Sequence, residues 1–411
     1  MDNITHSLAG LAAGTLIHRS LPDEADPAQQ QARHRLLLVS GWAACNFPDL
    51  DLVLTRLLPA PLGYLLHHRG HTHTLLYALP QALLLAALLW LLWFSARRVL
   101  AASRHACLGL GLAIVAGLLL HMLMDYMNSY GIHPFYPFDA RWLYGDMVFI
   151  VEPVFWVVLG VPLAMMANSK LVRWVLLALI AATPIVFTSS KHLHWVSAAA
   201  LLALGALFAV AQDRARPHSR TVLLAAFGAC LTFAGIQAAA SSYGRGLIAT
   251  EWRARDPGAQ TVDVAMSAFP SNPLCWSVVS VERQDAAGLF RLRRGVLSLA
   301  PSVMPASACP AGFAELDKQQ TLTPALALVW QQETPLADLR GRQASSCHFD
   351  AWLRFARTPA MNAADATDVR YGVDPARNFS TIRYADFAGA PCPSGVPAWG
   401  HPREDLLQPK L

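Results

Sequence analysis

His67-His68-Arg69-Gly70-His71-Thr72-His73 runs directly into an apolar stretch from Thr74 to Phe94 that contains no charged residue. A run of that length can cross the ~30 Å hydrocarbon core of a bilayer as a helix. Five of the seven residues before it are His or Arg, so imidazoles and a guanidinium stand where a membrane helix leaves the lipid. Imidazole is the commonest protein ligand for metals and suits zinc and other first-row ions. His71 and His73 are two apart, which suits a turn or a helix entrance. His68 and His71 are three apart, as on one helical face. The competing reading is an interfacial anchor that snorkels to lipid headgroups.

Working outward, the 411 residues are 54% hydrophobic and only 14% charged, against roughly 25% charged for soluble domains. The charge deficit falls in the first 245 residues, which marks an integral membrane protein. Apolar segments run from Ile4 to His18, Leu36 to Phe47, Thr74 to Ala96, Ala106 to Met124, Met147 to Ala167, Trp174 to Ser189, Leu193 to Ala211 and Thr221 to Ala240. The first carries His6, Gly10 and Gly14 four apart on one face, where small residues allow close helix packing. Pro22 to Arg35 is polar and reads as a loop. Asp2 and His6 stand where a signal peptide would carry basic residues, so no cleavable leader is expected.

Residues 245–411 change character. Thr261–Met266, Trp276–Val281, Leu289–Arg294 and Val369–Gly372 alternate or are β-branched between Pro, Gly, Ser and Asn clusters, which reads as short strands and turns. Trp352–Arg357 reads as a short helix or another strand. The expected fold class is therefore a mainly α membrane protein: a multi-helix transmembrane bundle of about seven or eight segments over residues 1–244, followed by a small extracytoplasmic β-rich domain over 245–411. Cys275, Cys309, Cys347 and Cys392 lie in that second region, an even number open to two disulfides in an oxidising compartment. Cys45, Cys107 and Cys230 lie in apolar runs and read as inert thiols.

Orientation follows from Lys and Arg in the short loops. Arg19, Arg33, Arg35, Arg97, Arg98, Arg104, Lys170, Arg173, Arg214, Arg216 and Arg220 occupy one set of loops, against Arg56, Arg69, Arg141 and Lys191 in the other. The richer set should be cytoplasmic, so the N-terminus and everything after Ala240 should lie outside the plasma membrane. The basic residues thus orient helices, and the net charge of +5 gives no reason to expect nucleic acid as a partner.

That orientation places His6, Asp49, Asp51, His67, His68, His71, His73, His121, Asp125 and Glu152 near one membrane face. Ionisable groups at membrane depth are costly and pair, ligate or line a wet cavity. Each alone has an ordinary explanation. Asp49-Leu50-Asp51 after Pro48 is a candidate Asx turn, His121 and Asp125 a candidate hydrogen-bonded pair one turn apart, His6 a packing residue, and Glu152 a counter-charge to Arg69 or Arg141. Four separate segments delivering imidazole and carboxylate to one layer favour a metal site. No Gly-x-Ser-x-Gly elbow, Walker motif or dinucleotide fingerprint occurs. His133–Asp139 and Arg141–Tyr144 form an aromatic loop, either an interfacial belt or a lid facing substrate.

Met1-Asp2-Asn3-Ile4-Thr5-His6-Ser7-Leu8 with Gly10 and Gly14, then Pro48–Asp51, His68–Thr74 and His121-Met-Leu-Met-Asp125, resemble the bacterial inner-membrane metal-dependent hydrolases of the YdjM/YbcI type. The resemblance covers residues 1 to about 160, and the β-rich region, with Asn272–Trp276 and Val369–Gly372, resembles the tail of longer members. It implies distant similarity to zinc-dependent phospholipase C and P1-type nucleases. On that footing the substrate is a phosphoester and the cofactor two or three divalent ions, zinc before manganese or magnesium.

The residues then take provisional roles. His6, Asp49, His68, His71, His73, His121 and Asp125 are candidate metal ligands. Asp51 or Glu152 is the candidate proton acceptor for an attacking water, and Arg69 the candidate partner of a phosphate oxygen. A site at that depth points to membrane lipids as surroundings and a phospholipid or polyprenyl phosphate as substrate. The alternatives are a metal transporter or sensor, which would need polar groups through the whole membrane depth, and a structural protein with a stiffening metal.

Overall fold

The computed structural model describes residues 1–216, 219–313 and 320–408. The chain is mostly helical, at 57%, with a smaller antiparallel sheet region towards its C-terminus. In chain order the first helices are α1 (Asn3–Ser20), α2 (Pro27–Asn46), α3 (Leu62–His67), α4 (Leu75–Leu92), α5 (Phe94–Ala102), α6 (Arg104–Tyr126), α7 (Pro153–Met165), α8 (Lys170–Ser189), α9 (Trp195–Arg214) and α10 (Thr221–Arg255). Among the described residues six helices are long and apolar enough to cross a membrane: α2 continued to Leu57, α4, α6, α8, α9 and α10. Only 6% of the most apolar window of α8 is buried inside the protein, so its leucines and valines have hydrocarbon as their medium. This is a membrane protein.

Several boundaries differ from the apolar segments, each for a local reason. The polar stretch before Arg35 is helical from Pro27. Asp26 caps it through Ala28 N–H at 3.0 Å, and proline at the first helical position is preorganised for that geometry. Arg33 is fully buried there against Glu24 at 2.8 Å and the Pro22 carbonyl at 2.8 Å, so its charge is matched where hydropathy saw only a loop. The segment expected from Met147 becomes helical only at Pro153, after Glu152 caps it, which leaves a 13-residue helix, short of the ~20 residues of a full span. The last apolar segment continues as helix to Arg255. Val369–Tyr371 is a 3-10 turn rather than a strand, because the Asp368 carboxylate caps it through Arg370 N–H and Gly372 takes φ +131°.

The chain forms two compact units. The first takes residues 1–50, 72–128 and 149–236. In it α1 crosses α2 at a seam of small residues: a Cβ on Gly10 would collide with the Gly41 carbonyl, and one on Gly14 with the Leu37 carbonyl. Neither obstacle is a flexible side chain. Such backbone contact is how membrane helices gain packing without a hydrophobic driving force between them. On α2, Leu36, Leu37 and Ala44 pack with Leu110, Ile114 and Leu118 of α6.

The second unit takes residues 51–71, 129–148 and 237–411. Its main sheet is antiparallel, in the order β1 (Gln260–Phe269), β2 (Asn272–Gln284), β3 (Leu289–Ser298), β5 (Leu326–Pro335), β4 (Gln320–Thr323). After α11 (Leu336–Ser345) and α12 (Cys347–Leu353), a three-stranded sheet follows from β6 (Pro359–Met361), β7 (Asp365–Asp368) and β8 (Ile382–Arg383). The loops join this unit because they supply its core. Leu62, Leu65 and Leu66 of α3, with Tyr130 and Trp142, pack among Phe349, Trp352, Phe355 and Trp399. The Trp399 indole N–H donates to the Leu66 carbonyl at 2.8 Å. Buried Arg357 bridges Asp146 at 2.9 Å and Asp263 at 2.7 Å. Burial alone would raise the Asp263 carboxyl, but the Arg357 guanidinium beside it holds it well below the usual carboxylate range.

Two disulfides, Cys275–Cys309 and Cys347–Cys392, tie this unit, while Cys45, Cys107 and Cys230 are free thiols. Maleimide added to the denatured, unreduced protein should therefore label three sites per chain, and after reduction all seven cysteines. Seven sites before reduction would mean the bridges do not form.

Candidate metal centre

Four buried side chains converge in the helical unit: Asp49, His73, His121 and Asp125. Each is placed by an ordinary local device. Asp49 follows the end of α2, in the 3-10 turn opened by Pro48. His73 closes a short 3-10 turn just before α4, where Thr74 caps the helix through Tyr77 N–H at 3.2 Å. The Gln81 amide holds that turn from inside α4, donating to the Thr72 carbonyl at 2.7 Å. His121 and Asp125 lie one turn apart on α6.

The distances fit a single cation. His73 Nε2 and His121 Nε2 are 2.9 Å apart, and Asp125 Oδ2 lies 3.1 Å from the first and 3.4 Å from the second. Asp49 Oδ1 is 3.6 Å from both. Four ligands placed tetrahedrally at about 2.0–2.1 Å from zinc are about 3.3–3.4 Å from one another, which is the middle of that range.

Tautomer chemistry points the same way. His121 Nδ1–H donates to the Cys45 carbonyl at 2.8 Å, and a carbonyl only accepts. In the neutral ring Nε2 is then left with its lone pair directed at the other three groups. A ligand histidine fixed through its second nitrogen is the usual arrangement at protein metal sites. His6 lies alongside, its ring stacked on His121 at 4.0 Å and its Nε2 3.3 Å from Asp125 Oδ1. The terminal ammonium of Met1 also pairs with Asp125. The start of α1 is fixed by Asp2, which accepts from Ile4 and Thr5 N–H at 3.0 Å, and by the Trp156 indole, which donates to Thr5 Oγ1 at 2.8 Å.

The remaining candidates are not among these four, and Asp51 and His68 belong with Asp49 to a second group of possible ligands. His68 Nδ1 is 3.0 Å from Asp51 Oδ1, and the other Asp51 oxygen accepts from Arg69 N–H at 2.9 Å. Arg69 itself is buried with its guanidinium 4.7 Å above the Tyr130 ring. His71 packs against Trp399 and Tyr136 at 4.9 and 5.3 Å between ring centres and is not one of the four. His67 is buried at the end of α3. Because α3 ends at His67 and Arg69 takes φ +58°, no helical face joins His68 to His71. Glu152 is fully buried as the cap of α7, accepting from Val154 N–H at 3.2 Å. The group that sequence reading missed is the Cys45 carbonyl: a backbone acceptor carries no side-chain signature, and the cysteine there reads only as an apolar core residue.

Comparison with known proteins places this arrangement. Residues 1–195 match the YdjM inner membrane protein family. That stretch, a little under half of the chain, contains all four converging residues together with His6, Asp51, His68, Arg69 and Glu152. The stretch that matches that family model therefore carries the centre. Over 153 residues the chain is also 29% identical to an uncharacterized protein, YfhP, of Bacillus subtilis (strain 168). That alignment takes in 37% of this chain and 42% of the relative, so the chain spans less than half the length of the curated relative it matches. No solved structure matches the chain.

The geometry separates two neighbouring histidines. His73→Ala should lower the zinc bound per purified chain severalfold, whereas His71→Ala should leave it at the wild-type value, both read by elemental analysis. Equal loss in the two variants would contradict the four-residue centre.

Proposed function

We propose that this protein is an inner-membrane, metal-dependent hydrolase of a phosphoester in a lipid or lipid-linked substrate. The observation that carries the reading is the buried pair of imidazoles and pair of carboxylates at tetrahedral spacing. Asp49, His73, His121 and Asp125 would hold a divalent ion, zinc before manganese or magnesium given two nitrogen and two oxygen donors. Such an ion supplies Lewis acidity towards a phosphoryl oxygen and makes hydroxide accessible near neutral pH.

The protein's own groups do the rest. The Cys45 carbonyl keeps His121 in the ligating tautomer. Two residues beyond Asp49, the Asp51–His68 pair is a carboxylate–imidazole couple suited to accepting a proton from water, with Glu152 the second candidate. Arg69 is assigned to a non-bridging phosphate oxygen. The helical, membrane-embedded character of the unit that holds the centre supports a substrate with a hydrocarbon chain. We place the N-terminus and the sheet unit outside the cytoplasm. Two disulfides there suit an oxidising compartment, and the Lys/Arg distribution between loops agrees.

The test is turnover by purified protein in detergent, with zinc or manganese added, on phosphatidic acid and on a polyprenyl phosphate. Phosphate release that falls by about a hundredfold or more in Asp125→Asn is the expected outcome, as for loss of a group acting at the reacting centre. Equal release by wild type and Asp125→Asn would remove the catalytic role of the centre.

A further inference from the structure

We infer that two loops of the sheet unit, at residues 52–57 and 135–138, are sunk in the headgroup boundary of the bilayer, so that this unit has a lipid-binding face of its own. Leu52, Val53, Leu54 and Leu57 are exposed on the 3-10 segment Pro48–Leu57, as are Phe135 and Phe138 on the second loop. The exposure is large, at 70% for Val53, 66% for Leu57 and 88% for Phe138. It is also local. Past α10, the described residues of the unit expose only two large apolar side chains, Val303 and Phe379. Apolar surface gathered in one region of a fold marks an interaction site.

Connectivity says what covers it. The first loop continues the α2 span, which runs on to Leu57, and the chain re-enters the bilayer at Leu75 in α4. The second loop leaves another span, α6, after Tyr126. Both exits lie at one membrane face, because His121 near the end of α6 donates to the carbonyl of Cys45 near the end of α2. The two loops therefore begin where hydrocarbon gives way to headgroups, and an apolar segment at that level lies in the boundary.

The local geometry favours lipid over a protein partner. A 3-10 helix turns about 120° per residue, so the consecutive Leu52, Val53 and Leu54 point in three directions. A protein surface would cover one face of such a segment and leave the rest in water, whereas lipid surrounds it. Arg56, exposed on the same segment, can lay its stem along the leucines and put its guanidinium at the phosphate level. In the second loop the side chains divide. Tyr136 and Trp142 pack into the unit's own aromatic core, while Phe135 and Phe138 stay outside it. The aromatic loop is thus an interfacial wedge rather than a lid.

The experiment is hydroxyl-radical footprinting of the full-length protein in phosphatidylcholine nanodiscs, with oxidation mapped by peptide mass spectrometry. Val53 and Val303 are a matched pair, one residue type at 70% and 74% exposure. Val53 should be oxidised severalfold more slowly than Val303, with Leu57 and Phe138 protected alongside it. Equal rates at the two valines would overturn the inference. A second arm separates lipid from a protein cover: phosphatidylcholine with a diazirine near the glycerol end of its acyl chain should leave adducts on residues 52–57 and 135–138 and none at Val303. Protection of Val53 without lipid adducts would mean that another protein surface covers it, and would sink the inference as surely. Both arms use the wild-type chain, and neither depends on whether a phosphoester is hydrolysed.

Discussion

Two carboxylates and three imidazoles shut away from solvent need compensating positive charge, part of which the Met1 ammonium supplies at Asp125. Asp125, His6, His73 and His121 are fully buried and Asp49 nearly so, and buried carboxylates are costly unless they are partnered. The rest of the helical unit is arranged around that demand. The glycine seam between α1 and α2 brings His6 to Asp125. The same helix pair sets the end of α2, so that the Cys45 carbonyl meets His121. A bulkier residue in the seam would not merely loosen a contact; it would move one wall of the pocket that the ligands share.

The sheet unit is held by different means. Its core is aromatic, its buried Arg357 is paired with Asp146 and Asp263, and two disulfides close it. Residues 51–71 and 129–148, which lie in sequence between membrane helices, have their hydrophobic partners here. The division into units therefore follows where apolar side chains find company, and it does not follow the order of the chain. Position 50 separates the two units within a single short turn, and so Asp49 and Asp51 belong to different units.

Much of this was legible in the residues themselves. Long apolar runs announce α4, α6, α8 and α9 because lipid-facing helices need no polar face, and alternating or β-branched runs between turn residues announce β1, β2 and β3. His121 and Asp125 were readable as partners since a four-residue step is one helical turn. What hydropathy hid was the first part of α2, where the signal was the Asp26–Pro27 cap, and the end of α10, which leaves the apolar stretch and stays helical to Arg255. The histidine heptad looked like one unit of chemistry. The backbone break at Arg69 divides it, sending His73 to the four-residue centre and His68 to Asp51. Such a break depends on one positive φ at a non-glycine residue, which composition and spacing do not announce.

X-ray absorption at the zinc edge on the metal-loaded, full-length protein reads the inner coordination sphere directly. The account requires a shell of nitrogen and oxygen only, two imidazoles and two carboxylate oxygens at about 2.0–2.2 Å. A sulfur shell at about 2.3 Å, or a shell without imidazole scattering, would show that zinc binds this chain somewhere other than among Asp49, His73, His121 and Asp125.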